Sequence, residues 1–549
     1  MRTILRSGIS LFFLVGCSTE QSLGNLPHAD GDAGQADGAP SSAVDTGPDA
    51  AVKDASVDVT IGDANVDAQT DGFAGDANVD AQTDGSAGDV SVIGIDAAVD
   101  ATGDALLDAV NADASVEAGG SDSAVDGGSD AVSGAEGGAD ATPPALEYES
   151  HTLAPGCAIR PGGSLKCWGS NFTGELGLGD TFARGDNPGE MGDALPAVDL
   201  GTGRKVVSIA RGYLHSCALL DNATVKCWGL GLSTGTYGDG PGEMGDTLVP
   251  IDFGFGQTVM AISTGGHACA ILADGSVKCW GSNDYGQLGL GDAISRLFPS
   301  DVVPLGTGRK AIAISAGYKH TCAVLDDRSV KCWGKNASGQ LGLGDTKNRG
   351  EATLGEMGDY LPKVNLGTGR TAVSISAGEV HTCVLLDNAT VKCWGAGANG
   401  LLGIGSTADR GDAPNEMGDA LPPINFGPGR TTLAISCGYS SSCAILDDHS
   451  VKCWGNNVVG QLGVGDNVSR GGLPADVGTF PAVNLGTGRK ASKIAVSNGI
   501  SFACALLDDG TIRCWGENSV GSLGIGYTDA RGDGPNEMGD NLPIVYLGK

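Results

Sequence analysis

The sequence predicts an all-β protein: a seven-bladed β-propeller preceded by a signal peptide and a long disordered acidic tether. All seven tryptophans fall in the tripeptide Cys-Trp-Gly, and successive copies between Trp168 and Trp515 are 52 to 61 residues apart. A period of this length indicates a repeat architecture. The chain has 92 glycines and no sustained helical period, which excludes helical repeats. Three or four short strands in each of seven units is the arrangement of a propeller.

Residues 1–16 are predicted to be an export signal. Arg2 and Arg6 form a basic start, and a short, mostly apolar run over residues 9–15 leads through small residues into Cys17. The run ending at Cys17 resembles the bacterial lipobox, in which the cysteine is diacylated before cleavage, and the following Ser18 favours the outer membrane. We therefore expect an exported protein, lipid-anchored in the bacterial cell envelope. The alternative is an ordinary secretory signal with a chance cysteine.

Residues 17–142 are predicted to be an acidic, disordered tether. Residues 18–150 contain 23 Asp and 5 Glu against a single Lys, so they carry −27 of the net charge of −33. Such a segment buries too little apolar surface to offset its ordering entropy, and its end-to-end reach is about 60 Å or more. Its aspartates lack the spacing of known calcium repeats. Neither the tether nor the remaining chain has the basic stripe that nucleic acid requires.

Residues 143–549 are predicted to form the propeller. Within one unit, apolar residues alternate over 311–325, and Asp326-Asp327-Arg328-Ser329 supplies turn chemistry before Val330. Most units open with a segment like residues 361–370, but the first unit lacks it and the last is followed by a copy at residues 542–548. We expect this C-terminal segment to complete the first blade and so remove exposed edges. An open β-solenoid is the alternative.

The repeat resembles a known family. Its elements are Ala316-Gly317-x-x-His320-Thr321, then Val330-x-x-Trp333-Gly334, then Gly339-Gln340-Leu341-Gly342-x-Gly344. These look like the regulator-of-chromosome-condensation repeat, over about 400 residues. The resemblance implies a seven-bladed propeller used as a protein-binding platform, as in a nucleotide exchange factor for a nuclear GTPase and in secreted bacterial inhibitors of β-lactamase. Paired cysteines and lengthened blade loops depart from the family pattern.

The cysteines sort into seven pairs and two single residues, Cys17 and Cys437. The pairs, each ten residues apart, are Cys157 with Cys167, Cys217 with Cys227, Cys269 with Cys279, Cys322 with Cys332, Cys383 with Cys393, Cys443 with Cys453 and Cys504 with Cys514. In an exported chain this pairing predicts one disulfide in each blade, since the two cysteines fall opposite each other in a hairpin. Metal ligation is the rival, because a histidine stands two residues before four of the pairs, but that histidine belongs to the family signature. Cys437 is predicted to be a buried free thiol, with competition for Cys443 or Cys453 as the alternative.

No catalytic motif emerges, and we expect neither enzyme activity nor a cofactor or metal. Residues 306–310, Gly-Thr-Gly-Arg-Lys, lack the spacing and context of a phosphate loop. Arg-Gly-Asp occurs at residues 184–186, 410–412 and 531–533, which resembles an adhesion tripeptide. Because it recurs at one position of the blade insert, duplication explains it better than adhesion.

The candidate binding residues stand between the Gly and the His of the repeat, at the tip of a strand connection. Seven such tips should form a ring on one face, and in propeller inhibitors that face is where partners dock. The candidates are Tyr213, Tyr318, Glu379, Tyr439 and Ile500. Tyrosine is enriched among interface hot spots. The alternative is that these residues cover the junctions between blades.

The sequence therefore favours a monomeric, surface-tethered binding module whose partner is an unknown protein or, as the less favoured choice, a glycan. A structural or adhesive envelope protein without a single ligand is the second hypothesis. Guanine-nucleotide exchange, by family analogy alone, is the third. An exported, disulfide-bonded protein would meet no cytoplasmic GTPase, which argues against it.

Overall fold

The computed structural model describes residues 152–231 and 236–549. The predicted signal peptide, the acylation site Cys17 and the tether lie outside these residues. No helix in the described part of the chain is both long enough and apolar enough to cross a membrane. The described residues belong to one compact unit, which spans Val132–Lys549.

The described residues form seven antiparallel three-stranded sheets, one for each Cys-Trp-Gly copy. The strands are, sheet by sheet, β1 Leu153–Ala154, β2 Cys157–Ile159, β3 Leu165–Cys167; β4 Val206–Arg211, β5 His215–Leu220, β6 Val225–Gly229; β7 Val259–Thr264, β8 His267–Leu272, β9 Val277–Gly281; β10 Ala311–Ala316, β11 His320–Leu325, β12 Val330–Gly334; β13 Ala372–Ala377, β14 His381–Leu386, β15 Val391–Gly395; β16 Thr432–Cys437, β17 Ser441–Leu446, β18 Val451–Gly455; β19 Ala491–Val496, β20 Phe502–Leu507, β21 Ile512–Gly516. Short 3₁₀ turns lie in the connections: Gly192–Ala194, Gly245–Thr247, Leu354–Glu356, Gly358–Tyr360, Ala398–Gly400, Gly418–Ala420 and Gly539–Asn541. The fold is the predicted all-β propeller of seven blades.

The middle strand of each blade carries the core. In β11 all six residues are buried, because successive side chains point to opposite faces of the sheet and each face packs against a neighbouring blade. The buried apolar residues accordingly form seven clusters, each shared by two adjacent blades. The ring is closed, since one cluster joins Leu153 and Trp168 of the first blade to Phe502, Leu523 and Val545 of the last.

The tryptophans link neighbouring blades. The Nε1 atom of Trp333 donates to the backbone carbonyl of Gln287 in the preceding blade at 2.9 Å. At the closing junction, Trp168 Nε1 donates to Ser522 O at 3.1 Å. The exception is Trp280, whose Nε1 has no hydrogen-bond partner among the described residues. All seven indoles are almost completely buried, so each copy of the repeat needs a tryptophan to fill a junction, and six of the seven also bond across it.

The C-terminal segment corrects one expectation. Val545 N donates to Ile512 O at 2.8 Å, so residues 542–548 lie along the last strand of their own blade. The first blade has its own equivalent, in which Val198 N donates to Leu165 O at 2.8 Å. The prediction that residues 542–548 complete the first blade is therefore wrong. The repeat period shows how far apart the copies of this segment lie along the chain. The hydrogen bonds show that each copy belongs to the blade that precedes it in sequence.

The seven predicted disulfides are present, and each joins strands two and three of one blade. They connect Cys157 with Cys167, Cys217 with Cys227, Cys269 with Cys279, Cys322 with Cys332, Cys383 with Cys393, Cys443 with Cys453 and Cys504 with Cys514. In the fourth blade the two cysteines are directly paired in the β11–β12 register, with Cα atoms 4.1 Å apart. A ten-residue separation gives this pairing because a four-residue turn, Asp326-Asp327-Arg328-Ser329, joins the two strands.

Cys437 is the free thiol among the described cysteines, and it is buried. Burial raises its pKa to about 11. The prediction of a buried free thiol is confirmed, since Cys443 and Cys453 are bonded to each other rather than to Cys437.

Candidate functional site

The middle strands define two opposite faces of the ring. From the second blade to the seventh, each middle strand begins after the glycine-containing connection that carries the tip residues, and we call the end formed by these connections the tip face. Each of these strands ends at an Asp/Asn-containing hairpin turn that leads to the third strand, and we call that end the turn face. The loop that contains Thr307 and Arg309 belongs to the turn face, because Arg309 Nη1 lies 3.3 Å from Asp326 Oδ1 and 3.0 Å from Asp327 Oδ2.

The backbone of the tip face links neighbouring blades in a chain of hydrogen bonds. The bonds, from the second blade to the seventh, are Tyr213 N to Gly265 O at 3.0 Å, Gly266 N to Gly317 O at 3.1 Å, Tyr318 N to Gly378 O at 3.2 Å, Glu379 N to Gly438 O at 3.2 Å and Tyr439 N to Ser497 O at 2.9 Å. Because these amides are already paired, the side chains at the tips are what a ligand would meet.

Tyr213 and Tyr318 touch although they belong to the second and fourth blades. Their ring centroids are 5.5 Å apart, with an interplanar angle of 63°. The third blade has a one-residue tip, Gly266, where a Cβ would lie 2.1 Å from the carbonyl oxygen of Tyr318. Glycine thus leaves the space in which two non-adjacent blades meet, and such a meeting is possible only near the axis of the ring.

Tyr439 and Glu379 complete the group. The Glu379 carboxylate is the main cause that raises the pKa of Tyr439, and Tyr213 and Tyr318 contribute as well. Tyr213 and Tyr439 are 45% and 41% exposed, whereas Tyr318 and Glu379 are half-buried. The structure therefore places these four candidates on one face, with direct side-chain contact between Tyr213 and Tyr318. The fifth, Ile500, packs against the apolar cluster between the last and first blades and lines one cavity together with Tyr213.

The Glu379 carboxylate has no hydrogen bond and no ion pair within the described residues. Burial raises its pKa, and the more distant Lys335 and Lys319 only partly oppose that effect. Because the side chain is only half-buried, water can still hydrate the carboxylate.

Tyr285 and Lys335 belong beside this site, and the repeat signature did not single them out. Lys319 Nζ lies 4.8 Å from the Tyr285 ring centroid and 5.2 Å from that of Tyr318. Lys335 Nζ lies 5.2 Å from the Tyr285 centroid. Both new residues occupy positions that vary between blades, one in the Gly-rich turn and one directly after Cys-Trp-Gly. Variation at a repeat position was the available signal.

The histidines beneath the tips are structural. His320 Nε2 and Thr382 Oγ1 of the next blade are 2.8 Å apart, and the Thr382 hydroxyl donates onward to Gln340 O at 3.0 Å. The hydroxyl must then accept from the histidine, which therefore carries a proton on Nε2. Burial lowers the pKa of His320 to about 4.

One group has the composition of a metal site. His381, Cys383 and Cys437 offer ligand atoms within 4.8 Å of one another. Cys383 is bonded to Cys393 in a disulfide, however, and only a thiolate is a metal ligand. With the disulfide formed, the group cannot serve as a metal centre.

The two loop motifs are occupied by structural contacts. Thr307 N and Oγ1 donate to the Asp359 carboxylate of the next blade at 2.8 and 2.5 Å, so the amide that a phosphate would need already binds an anion. In the first Arg-Gly-Asp, Arg184 exchanges two backbone hydrogen bonds with Gly169 at 2.7 and 3.1 Å. Arg349, which is followed by Gly-Glu, makes the same pair with Gly334, so the contact does not depend on the tripeptide.

The first blade is held at the tip face by an arginine that other blades lack. Its first strand has two residues where the others have six. Arg211, at a position that is alanine in Ala316 and Ala377, donates to four backbone carbonyls: Pro155 and Gly156 at 3.3 Å, Trp168 at 2.9 Å and Ser170 at 3.0 Å. Its guanidinium replaces the interblade bonds that the short strand cannot make.

Family models recognise the blades. The model of the regulator of chromosome condensation (RCC1) repeat matches residues 274–324 and 329–385. A second model of the same repeat matches residues 206–234, 311–340, 372–401, 433–461 and 492–522. The matched ranges contain the middle strand and the Cys-Trp-Gly tripeptide of most blades.

Two known proteins are similar to this chain in sequence. The ultraviolet-B receptor UVR8 of Arabidopsis thaliana is 30% identical over 368 residues, which are 66% of this chain and 75% of the receptor. The human E3 ubiquitin-protein ligase HERC2 is 28% identical over 67% of this chain, but the match spans only 7% of that much longer protein.

Solved structures agree on the fold. Yeast RCC1 (Prp20), bound to Kap60, has a TM-score of 0.52 at 19% identity, with 72% of this chain and 86% of that chain covered. Prp20p from Saccharomyces cerevisiae, in a study of its binding to Gsp1p and histones, has a TM-score of 0.50 at 17% identity, with 72% and 88% covered. The ring of seven blades thus defines a propeller of the RCC1 type. The chain belongs to the RCC1 repeat family.

Proposed function

We propose that this protein is a binding scaffold anchored in the cell envelope, and that it holds a partner protein on its tip face. The observation that carries the proposal is the convergence of Tyr213, Tyr318, Tyr439 and Glu379, whose side chains are partly exposed while their backbone amides are already paired. Tyrosine combines a large apolar area with little side-chain entropy, which suits it to an interface centre.

The rest of the molecule supports this choice of face. On the turn face, arginines and aspartates pair with one another in a pattern that repeats from blade to blade. The family adds a precedent, since a yeast relative is described by its binding to Gsp1p and histones.

A photocrosslinking amino acid tests the face directly. It is placed in the full-length protein at Tyr213 or Tyr439, and as a matched control at Tyr360, a tyrosine that is 78% exposed and next to Asp359 on the turn face. We expect a discrete, saturable adduct from the two tip positions, competed by unlabelled protein and absent from Tyr360. Equal adducts from both faces would contradict the proposal.

Alanine substitutions give the energetic counterpart. Tyr213→Ala, Tyr318→Ala and Tyr439→Ala are each expected to weaken binding of the captured partner by about 1–3 kcal/mol, as is typical of hot spots. The melting temperature should stay unchanged. Loss of stability with intact binding would show that these tyrosines serve the junctions between blades instead.

The attachment is the second part of the proposal. We propose that residues 1–16 direct export, that Cys17 is acylated, and that the acidic segment up to residue 142 tethers the propeller to the outer membrane. Metabolic labelling with palmitate should mark the wild type and fail to mark Cys17→Ser. Equal labelling of both proteins would rule out the anchor, and it would leave the tip-face experiments unaffected.

A further inference from the structure

In most copies of the segment that follows a blade, an asparagine or aspartate caps the segment's own turn. Its side-chain oxygen accepts a hydrogen bond from the backbone amide two residues later. These bonds, at 2.8 to 3.1 Å, run from Gly201 N to Asp199, Gly254 N to Asp252, Gly367 N to Asn365, Gly427 N to Asn425 and Gly486 N to Asn484. In the copy at residues 300–310 the same position is Pro304, whose side chain has no acceptor. The amide of Gly306 accordingly has no hydrogen-bond acceptor within the described residues.

The same side chain also fills a space beside a glycine in the insert of the next blade. A Cβ atom added to Gly418 would lie 2.4 Å from Nδ2 of Asn365. At Gly358 the nearest atom to the corresponding Cβ position is Pro304 Cβ, 3.6 Å away. The backbone is held in the same way in both places, since Gly358 N donates to Pro304 O and Gly418 N to Asn365 O, each at 3.0 Å. The proline therefore leaves open a space that an asparagine side chain fills in the next copy.

A cavity of about 380 Å³ lies at this point of the turn face, in the volume range of small-molecule sites. Pro304, Gly306 and Gly358 line it where the side chain is missing, and Val302 and Leu305 add apolar wall. Val302 is 50% exposed. We call this space the Pro304 cavity. It combines one backbone donor that has no acceptor among the described residues with an apolar surface beside that donor.

The charges next to the Gly306 amide have opposite signs. A Cβ atom at Gly306 would lie 2.9 Å from the Asp359 carboxylate and 3.3 Å from the Lys331 ammonium group. The other copies place either a carboxylate, at Asp199, or a carboxamide, at Asn365, in the corresponding position. The protein itself thus shows that both planar groups fit, and that the oxygen of either accepts from the glycine amide.

We propose that the Pro304 cavity binds a small molecule through a carboxamide or carboxylate group, whose oxygen accepts from Gly306 N in place of the missing side chain. The remainder of the ligand lies against Val302 and Leu305. The inference is independent of the proposed function, because it concerns the turn face and requires no partner protein.

The test uses the full-length protein with acetamide, acetate and ethylammonium as probes, observed by ligand-detected NMR. We expect saturable binding of acetamide and acetate, with dissociation constants of about 10 mM because the probes have so few atoms. Ethylammonium is similar in size but has no acceptor oxygen, so it should not bind at this cavity. The stronger of the two binding probes identifies the preferred group.

A repair variant locates the site. Pro304→Asn supplies the acceptor for Gly306 N and fills the space, so it should weaken both probes by at least about 10-fold and raise the midpoint of thermal unfolding. The matched control is Pro362→Asn, at an exposed proline of the next copy that does not line the cavity. This control should leave the binding of both probes unchanged.

The reverse variant creates a second site. Asn365→Ala removes the acceptor of Gly367 N and opens the corresponding space beside Gly418. It should lower the midpoint of thermal unfolding, and acetamide or acetate should restore part of the loss. This experiment tests the same chemistry even where Pro304→Asn fails to fold.

Three results would overturn the inference: no saturable binding of acetamide or acetate, equal binding of these probes to the wild type and to Pro304→Asn, or binding of ethylammonium as tight as that of acetamide. None of these results would change the crosslinking expected at Tyr213 and Tyr439. Failure of the cavity and failure of the proposed function are therefore distinguishable.

Discussion

The tip face and the turn face are the two ends of the same strands, yet they use polar residues in opposite ways. On the turn face many carboxylates have a polar partner: Arg489 Nη1 lies 2.5 Å from Asp509 Oδ2, and Thr487 Oγ1 donates to Asp540 Oδ2 at 2.5 Å. On the tip face the Glu379 carboxylate has no such partner among the described residues. The turn face thus pairs many of its polar groups internally, whereas the tip face leaves the Glu379 carboxylate unpaired.

The two faces also differ in how strictly their contacts repeat from blade to blade. The pair of a Gly-Thr-Gly-Arg threonine with an aspartate of the next blade occurs at Thr202, Thr307, Thr368 and Thr487. The pairs of tip residues differ from blade to blade, although tyrosine takes the first position at Tyr213, Tyr318 and Tyr439. In a repeat protein a contact that each unit needs is copied, so a partner-facing residue stands out by its variation.

As the pH is lowered, the tip-side histidines and the turn-face aspartates should lose their contributions to stability in different pH ranges. The loss at the histidines is the largest effect we expect. Burial lowers the pKa of His215 and His320 to about 4, and those of His267 and His381 to about 3. Above pH 6.5 these histidines are neutral in both the folded and the unfolded chain. Below pH 6.5 these histidines become protonated in the unfolded chain but stay neutral in the folded chain. The free energy of unfolding therefore decreases as the pH is lowered toward the folded-state pKa, by up to about 1.4 kcal/mol per pH unit for each histidine.

The turn face responds in a lower window. The Thr511 hydroxyl and amide, aided by Arg489, lower the pKa of Asp509 to about 2, so its contribution persists above pH 4 and is lost between pH 4 and 2. Chemical denaturation of the oxidised protein between pH 7.5 and 4.5 therefore measures the tip-side histidines.

A pair of variants checks the assignment. His320→Ser introduces the residue that the sixth blade has there, Ser441, and should reduce the slope of stability against pH. Thr382→Val removes the hydroxyl partner but keeps the histidine, so it should lower stability at every pH. An unchanged slope in His320→Ser would show that these histidines do not cause the acid sensitivity.

Arg211 tests whether variation always marks a binding residue. It lies on the tip side and differs from the alanines of other blades, yet its four hydrogen bonds to backbone carbonyls are structural. Arg211→Met keeps the side-chain length and removes the donor to the carbonyls of Pro155, Trp168 and Ser170, which should cost about 2–3 kcal/mol in urea unfolding. Partner binding should survive in the fraction that is folded.

The matched control is Arg204→Met on the turn face, where the arginine makes a partly exposed pair with Asp221 at 3.3 Å. A loss of stability no greater than in this control would show that Arg211 is dispensable for holding the first blade.

The sequence predicted most of the fold because the fold is periodic. Seven tryptophans at a fixed period gave the blade number, and the ten-residue spacing of Cys322 and Cys332 gave the disulfides. Period alone could not assign residues 542–548, because a strand between two repeats fits either neighbour equally well. Only the bond from Val545 N to Ile512 O decides it.

The candidate site was predicted in part for the same reason. The position between Gly and His located the tips, but the meeting of Tyr213 and Tyr318 depends on the short tip at Gly266 and on the curvature of the ring. Tyr285 and Lys335 come from other connections and reach the site only in three dimensions. A local sequence pattern does not predict how close side chains from different blades lie to one another.

The smallest expected effect concerns the ion pairs of the turn face. Arg489 contacts Asp508 and Asp509 at 3.5 and 2.5 Å, but about a third of each side chain is exposed. Solvent and salt screen such pairs, so Arg489→Gln should lower the free energy of unfolding by less than about 1 kcal/mol, and the difference should shrink at about 1 M salt. Tyr439→Ala on the tip face should lower the free energy of unfolding by an equally small amount. The two substitutions should nevertheless differ in their effect on partner binding, since only Tyr439 lies on the tip face. If Arg489→Gln weakened the partner as much as Tyr439→Ala, the two ends of the blades would share one interface, and the contrast drawn between them would be lost.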